Sequence, residues 1–173
     1  MKAVMQSIRD AFADVQRPEK TMSDAEVADD WGDEASRFEE HDVRWWEIPD
    51  ELIAHYSAVF CFLPPEAKLY YLPAYMSWFL RGGYQAESNS RNHLIYFLLD
   101  PLRFGPVWEL MSPVQRRAVR RFAETCPDLA HDEFDRKEYE QLVRTVKNLP
   151  SQASDASSKP APSRSPRRAP GSH

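Results

Sequence analysis

The stretch from Glu66 to Arg81 constrains the fold most, because it is long enough for a helix and apolar on most of its sides. A helix that is hydrophobic nearly all round has to be buried, so other elements must cover it. Pro73 falls inside this stretch and predicts either a kink or a division into two short helices. The sequence therefore predicts a central helix whose buried side chains are Leu69, Tyr70, Leu72, Tyr75, Met76, Phe79 and Leu80.

Apolar residues recur at helical spacing along the rest of the chain, and no strand pattern of comparable length appears. A serine cap followed by a proline, Ser112-Pro113, is a clear signal for a helix start. We predict a mainly α fold, a compact single-domain bundle of about six helices. The further helical ranges are 4–15, 49–60, 93–99, 113–126 and 132–149.

A change of composition at Ser151 predicts a boundary within the 173 residues. Residues 1–150 are predicted to form an acidic helical globular domain. Residues 151–173 are rich in Ser, Pro, Ala and Arg and cannot bury enough apolar surface to offset the loss of chain entropy. We expect a flexible C-terminal tail there, with a net charge of +3 against −8 for the rest of the chain.

The cysteines and the hydropathy pattern indicate in which cellular compartment the protein resides. Cys61 and Cys126 are too few for a disulfide framework, and both lie among apolar residues, so we predict two reduced and buried thiols. No apolar signal stretch begins the chain, and no window reaches the roughly 20 apolar residues that a membrane-spanning helix needs. The sequence predicts a soluble, cytoplasmic protein with no membrane partner.

The histidines, glycines and cysteines match no catalytic, metal or cofactor pattern. The five glycines form no phosphate-binding loop, and no Cys-x-x-Cys or closely spaced histidine pair is present. We predict a non-enzymatic protein with no catalytic residue, no cofactor and no metal. The alternative is an enzyme with an unrecognised site around His55, His93 and Glu66, although the place of Glu66 in a first helical turn already explains its charge.

Negative charge is concentrated in one segment. Between Glu19 and Glu51 there are thirteen acidic and three basic residues, whereas the whole chain carries only −5. Ser23 and Glu26 predict a capping box, and Val27, Trp31, Ala35 and Phe38 continue at helical spacing. Such a field attracts cationic partners. The candidate partner-binding residues are Asp24, Glu26, Asp29, Asp30, Trp31, Asp33, Glu34, Glu39, Glu40 and Asp42.

Two interpretations of this acidic segment stay open, a docking surface and a merely solvated face. A cluster of arginines on the helix that starts at Pro113 adds a third, since it offers an internal counterpart for the acidic residues. That cluster could equally be solvated, or bind nucleic acid, which the acidic charge of the body disfavours. Its members are Arg116, Arg117, Arg120 and Arg121.

An aromatic and proline-rich block carries a family resemblance. It consists of Trp46-Glu47-Ile48-Pro49, Leu52, the stretch Phe62-Leu63-Pro64-Pro65-Glu66-Ala67, and the stretch Tyr70-Tyr71-Leu72-Pro73-Ala74-Tyr75. With this block, most of residues 5–126 resembles a bacterial family of small proteins classed as a domain of unknown function. The resemblance implies a small soluble domain without established catalytic residues, similar to the acidic partners that are encoded beside toxins.

Charge and resemblance together predict a non-enzymatic protein-binding module. The most specific form of this prediction is an immunity or inhibitor protein that neutralises a cationic toxin or effector through its acidic surface. One alternative is a regulator that mimics nucleic acid and occupies the binding site of a DNA- or RNA-binding protein. The enzyme described above is the other alternative, and the sequence leaves the oligomeric state open.

Overall fold

The computed structural model describes residues 1–38 and 43–150, and within these ranges the chain is helical and contains no β-strand. This confirms the prediction of a mainly α fold. The described residues form nine α-helices and four short 3-10 turns, more helices than the six or so predicted. The helices are α1 (Lys2–Ala11), α2 (Met22–Asp29), α3 (Asp50–His55), α4 (Val59–Phe62), α5 (Pro65–Arg81), α6 (Asn89–Leu99), α7 (Pro101–Leu110), α8 (Pro113–Thr125) and α9 (Glu133–Asn148).

The long helix α5 is the centre of the fold, as predicted. Every residue from Tyr70 to Leu80 is buried, and α1, α3, α4, α6 and α7 all pack against this helix. The helix continues without division through Pro73. A proline removes one backbone hydrogen bond from a helix, and burial of the apolar side chains on both sides of Pro73 outweighs that loss.

The helix predicted for residues 49–60 is wrong, because the chain forms two short helices, α3 and α4, with an extended residue at Tyr56 (φ −95°, ψ 92°). Carbonyl groups of this break bind other elements. The Tyr75 hydroxyl donates to the carbonyl of Tyr56, and the His93 ring nitrogen Nδ1 lies 2.8 Å from the carbonyl oxygen of Ser57. Tertiary hydrogen bonds thus replace those of a continuous helix.

Helix α7 was not predicted from the sequence. It begins at Pro101, and the Asp100 carboxylate accepts a hydrogen bond of 2.9 Å from the amide of Leu102, which caps the helix. Gly105 and Pro106 within α7 are typical of loops. The helix nevertheless forms because its apolar side chains, Phe104, Val107 and Trp108, are all buried.

The two cysteines differ, so the prediction of two buried thiols is only half right. Cys126 is buried, with 0% of its surface exposed, whereas Cys61 is exposed. The four-residue helix α4 turns Val59 and Phe60 into the core and leaves the thiol of Cys61 at the surface. None of the described helices is both long and apolar enough to span a lipid bilayer.

A candidate protein-binding surface at an acidic turn

The acidic segment begins with a short helix, not the long one predicted. Its capping residue is Thr21, and not Ser23 as predicted. The Thr21 hydroxyl accepts from the amide of Asp24 (3.3 Å), and the Asp24 carboxylate accepts from the amide of Thr21 (2.8 Å). Ser23 is buried inside α2. Helix α2 ends at Asp29, so the predicted apolar stripe through Trp31, Ala35 and Phe38 does not exist.

The helix ends there because two successive residues adopt the left-handed conformation. Trp31 has φ +59° and Gly32 has φ +87°. The amide of Gly32 donates to the carbonyl of Val27 at 2.7 Å, which is the six-to-one hydrogen bond of a Schellman motif. Glycine usually occupies the first left-handed position of this motif, and here Trp31 occupies it. Such a conformation costs a residue with a β-carbon about 1–2 kcal/mol.

Residues 29–38, which we call the acidic turn, are held by bonds between their own side chains and backbone. The Asp33 carboxylate accepts a hydrogen bond of 2.9 Å from the amide of Ala35, and the Ser36 hydroxyl donates to the Asp30 carboxylate. These bonds close a 3-10 turn over Glu34–Ser36. The tip of the acidic turn is therefore ordered although it is exposed.

The far end of the acidic turn is tied to the body by Phe38. Its amide donates to the buried hydroxyl of Ser23 at 2.9 Å, and its ring stacks on Tyr56 with 4.0 Å between centroids and an interplanar angle of 10°. Both ends of the acidic turn are thus attached to packed elements. The turn can hold one conformation without a partner.

Arg37 is the local counterion of the acidic turn. Its guanidinium binds the carboxylates of Glu34 (2.7 Å) and Asp24 (3.0 Å). The pKa of Glu34 is lowered by its hydrogen bond and ion pair with Arg37. Burial raises the pKa of Asp24, but hydrogen bonds from the Thr21 amide and from Arg37 outweigh it, so this pKa lies below its usual value. Both carboxylates are ionised at neutral pH.

Glu26 lies on α2, two residues from Asp24, and its pKa is shifted in the opposite direction. Burial raises the pKa of Glu26, and the negative charges of Asp29 and Asp30 raise it further. These carboxylates repel one another at the end of α2, close to the negative end of the helix dipole. The structure therefore concentrates negative charge at this helix end without full local compensation.

Trp31 lies at the tip of the acidic turn with 100% of its surface exposed. The other two tryptophans near the acidic segment have partners in the body. Trp45 is buried and its indole nitrogen donates to the carbonyl of Phe12 (3.0 Å), while the ring of Trp46 has the guanidinium of Arg9 3.9 Å from its centroid. Leaving a whole indole side chain exposed to water is unfavourable in free energy, because its apolar surface is not buried.

The structure brings seven of the predicted partner-binding residues together at α2 and the acidic turn. Asp24 and Glu26 are half-buried on α2, whereas Asp29, Asp30, Trp31, Asp33 and Glu34 are exposed. Glu39, Glu40 and Asp42 lie outside the described residues. Sequence reasoning missed Thr21 and Arg37, although a Thr-x-x-Asp spacing and an arginine three residues after a glutamate are readable signals.

Comparison with known families matches residues 1–148 to DUF6714, a family of unknown function. The chain belongs to this family. The match confirms the predicted kinship with an uncharacterised domain and extends on both sides of residues 5–126, over which the sequence alone suggested it. No curated protein and no solved structure matches the chain.

Arginines of the cluster on α8 of this DUF6714 chain form hydrogen bonds within the folded domain. Arg116 is only 8% exposed, and its guanidinium donates to the carbonyls of Trp108 (3.1 Å) and Glu109 (3.3 Å). Arg120 donates to the carbonyl of Leu149, and Arg121 lies 3.5 Å from the Ser7 hydroxyl. Within residues 1–38 and 43–150, no ion pair joins these arginines to the acidic turn. Because Arg116 is buried and Arg120 half-buried, the interpretation of a solvated cluster is wrong for these two arginines.

The residues of the enzyme alternative do not form one site. His93 lines a surface pocket with Cys61 and Arg103, and neither His55 nor Glu66 belongs to that pocket. His55 is exposed on α3, and Glu66 is exposed in the first turn of α5, where it complements the helix dipole. The described residues contain no group of three side chains able to hold a metal ion.

Proposed function

We propose that this protein is a non-enzymatic binding module that docks on a cationic protein through its acidic turn. In its most specific form, the protein is an inhibitor or immunity protein that covers the basic surface of a toxin or effector. The observation that carries this proposal is the fully exposed Trp31, held in a strained conformation by a turn that is otherwise fixed.

The exposed indole supplies an anchor. Tryptophan is enriched among the few residues that dominate the energy of protein interfaces. Burying about 200 Å² of its surface is worth about 5 kcal/mol before the costs of association. A residue in a sparsely populated backbone region supports a hypothesis of function, because selection for stability alone would favour glycine at this position.

The carboxylates around the anchor determine the chemistry of the partner. Asp29, Asp30, Asp33 and Glu34 are exposed on both sides of Trp31, and of these four carboxylates Arg37 pairs only with that of Glu34. An excess of negative charge therefore surrounds the indole. Such a rim raises the rate of association with a basic surface and repels acidic proteins.

Internal bonding of the acidic turn lowers the entropic cost of binding. The hydrogen bonds of Asp33 and Ser36 and the attachment of Phe38 already fix the backbone. A binding loop that is ordered before it meets its partner loses less conformational entropy on association. The geometry of the acidic turn thus supports a preformed docking surface.

The nucleic-acid mimic is less well supported by the same residues. A phosphate array repeats at regular spacing along a helix. Among the described carboxylates of this region, Asp24 and Glu34 share the single cation of Arg37, and Asp33 is bonded to the backbone. A compact acidic rim around one indole is better suited to docking on a basic protein surface than to mimicking the phosphates of a nucleic acid.

Comparative affinity capture tests the proposal. Four full-length baits are exposed to extract from the native host: the natural protein, Trp31→Gly, a triple variant (Asp29→Asn, Asp30→Asn, Asp33→Asn), and a charge-matched control (Glu87→Gln, Glu109→Gln, Asp128→Asn). Asparagine keeps the capping ability of Asp33. We expect a basic protein on the natural and control baits that is lost from the other two and released by salt.

Equal recovery of every protein on all four baits would refute the docking surface. Recovery of a nucleic-acid-binding protein that free DNA displaces would favour the mimic instead. Turnover of a small molecule by the purified chain would favour the enzyme.

A further inference from the structure

Helices α4, α6 and α7 bring a thiol and two basic side chains to one pocket on another part of the surface, and α5 adds a lysine whose ammonium lies over an aromatic ring of the pocket wall. Cys61 comes from α4, Lys68 from α5, His93 from α6 and Arg103 from α7. The pocket has a volume of about 240 Å³, and Cys61, His93 and Arg103 line it together with Phe60, Tyr96, Phe97 and Asp100. Neither the acidic turn nor the proposed docking uses these residues.

The thiol lies against a guanidinium. The Arg103 nitrogen Nη1 donates a hydrogen bond to the sulfur of Cys61 at 3.8 Å. The Arg103 nitrogen Nε also lies 3.4 Å from a carboxylate oxygen of Asp100. That carboxylate caps α7 as well, so it offsets only part of the positive charge beside the sulfur.

Lys68 supplies a second cation from an independent position. Its ammonium lies 5.7 Å from the centroid of the Phe97 ring that lines the pocket. Burial lowers the pKa of Lys68, a negative charge on Cys61 would raise it, and the charge of Arg103 lowers it further. Among residues 1–38 and 43–150, no carboxylate forms an ion pair with this ammonium. A half-buried cation over the pocket wall is thus left without an acidic partner among the described residues.

His93 completes the set of polar groups. Its ring nitrogen Nδ1 lies 2.8 Å from the carbonyl of Ser57. A carbonyl can only accept, so Nδ1 carries the proton in this contact. The other ring nitrogen, Nε2, is left to accept a proton or a hydrogen bond. The pocket therefore combines an exposed thiol with a guanidinium and an imidazole, and it is large enough for part of a small molecule.

The second cysteine provides an internal contrast. Cys126 is fully buried, its thiol donates to the carbonyl of Phe122 at 3.3 Å, and burial raises the pKa of that thiol. The thiolate is the nucleophile in thiol–disulfide exchange, and a buried neutral thiol is inert. The chain thus holds one accessible sulfur among cations and one protected sulfur.

We propose that Cys61 is a site of reversible mixed-disulfide formation with an anionic, low-molecular-weight disulfide. The thiol of Cys61 loses its proton to solvent, and the thiolate attacks one sulfur of the small disulfide. A new sulfur–sulfur bond forms, the old one breaks, and the other half leaves as a thiolate that takes a proton from solvent. One disulfide is consumed and one is formed, so no further oxidant is needed.

The two cations determine the choice of an anionic partner. Arg103 and Lys68 attract carboxylates of the incoming molecule. The chain as a whole is acidic, with a net charge of −5. Exposed charges more than about 8 Å apart are largely screened at physiological ionic strength, so the nearby cations dominate at the sulfur.

A charge series of disulfides tests this proposal on the natural full-length protein. Oxidised glutathione is the anionic probe, hydroxyethyl disulfide the neutral one and cystamine the cationic one. Intact-mass spectrometry follows each adduct, and rates are divided by those of a free cysteine derivative. We expect one adduct per chain, located on Cys61 by peptide mapping, and normalised rates that fall from the anionic to the cationic probe.

Substitutions test whether Arg103 and Lys68 cause the faster reaction with the anionic disulfide. Arg103→Gln and Lys68→Gln should each slow the reaction with oxidised glutathione on the order of fivefold, with little effect on the neutral probe. Arg117→Gln removes an exposed arginine on α8 and should change neither rate, and Cys61→Ser should abolish the adduct.

Three outcomes would overturn the proposal. The first is normalised rates that do not depend on the charge of the probe, a result that needs no variant and no assumption about folding. The second is an adduct on Cys126. The third is a disulfide-linked dimer of the chain as the only product, because the partner of Cys61 would then be a second copy.

Discussion

Trp31 shows how one residue can oppose the stability of its own turn. Its left-handed conformation costs about 1–2 kcal/mol, and its fully exposed side chain contributes no packing. Glycine at this position removes the strain but loses about 0.5–1 kcal/mol of chain entropy on folding. We therefore predict that Trp31→Gly raises the free energy of unfolding by up to about 1.5 kcal/mol, measured by urea denaturation. A loss of stability would show that Trp31 packs on the body.

A second prediction separates two neighbouring arginines. Arg116 is buried and caps the last carbonyls of α7, whereas Arg117 is exposed. Hydrogen bonds to a charged donor are worth about 1.5–3 kcal/mol, and their removal leaves buried carbonyls without that partner. Arg116→Met should lower the free energy of unfolding by about 2 kcal/mol. The matched Arg117→Met variant should change it by less than about 0.5 kcal/mol. Equal effects would contradict the assigned roles.

At the residue scale, the sequence did not correctly predict which side chains are exposed. The apolar spacing of Val27, Trp31 and Phe38 predicted one continuous stripe, but the helix ends at Asp29 because Trp31 and Gly32 adopt the left-handed conformation. The exposure of Cys61 depends on where the break between α3 and α4 falls, and that break depends on the hydrogen bonds of Tyr75 and His93 with distant carbonyls. Local sequence does not contain this information.

At the scale of an element, α2 carries two carboxylates with opposite effects on stability. The folded-state pKa of Asp24 lies below 3.8, so its contribution is present above pH 3.8 and is lost as pH falls through the folded value. The folded-state pKa of Glu26 lies above 4.5, so its charge destabilises the fold at neutral pH. That penalty disappears as pH falls through the folded pKa of Glu26 towards 4.5.

We predict that Glu26→Gln stabilises the protein at neutral pH and that this advantage shrinks on acidification. Asp24→Asn should be less stable than the natural protein at neutral pH, and the difference should narrow below pH 3.8. Urea denaturation across this range measures both. Parallel stability–pH curves for the natural protein and the two variants would contradict the account of α2.

Helices with both a cap signal and a clean apolar period were predicted well. Helix α8 follows Ser112-Pro113, and α9 follows the Asp132 cap. The central α5 was predicted from its apolar length alone. Helix α7 was missed because Gly105 and Pro106 have strong local preferences for loops, which tertiary packing overrides here. Helices α3 and α4 were predicted as one helix because the break between them depends on tertiary hydrogen bonds.

At the scale of the whole molecule, the last described residues are hydrogen-bonded to the core helices α7 and α8. The indole nitrogen of the buried Trp108 donates to the carbonyl of Pro150 at 2.8 Å, and Arg120 donates to that of Leu149 at 3.3 Å. We predict that deleting residues 151–173 changes the free energy of unfolding by less than about 0.5 kcal/mol. Deleting residues 149–173 should lower it by about 1–3 kcal/mol, since the indole donor loses its partner. Equal effects of both deletions would place the domain boundary elsewhere.

The sequence predicted the mainly helical fold class correctly, and the function remains a prediction. Composition and periodicity predicted an acidic α-helical domain, and the family match covers nearly all of it. The uneven distribution of charge indicated a candidate surface, but the sequence did not decide whether arginines of the body neutralise it. Among the described residues Arg37 does so in part, and the arginines of α8 do not.

The most direct test of the docking surface is the association rate constant between this protein and its captured basic partner, measured against ionic strength. We predict a rate that falls steeply with salt for the natural protein, and a lower, nearly salt-independent rate for the Asp29→Asn, Asp30→Asn, Asp33→Asn variant. Trp31→Gly should keep the salt dependence of association and raise the dissociation rate. The same salt dependence and the same affinity for all three proteins would contradict the proposal.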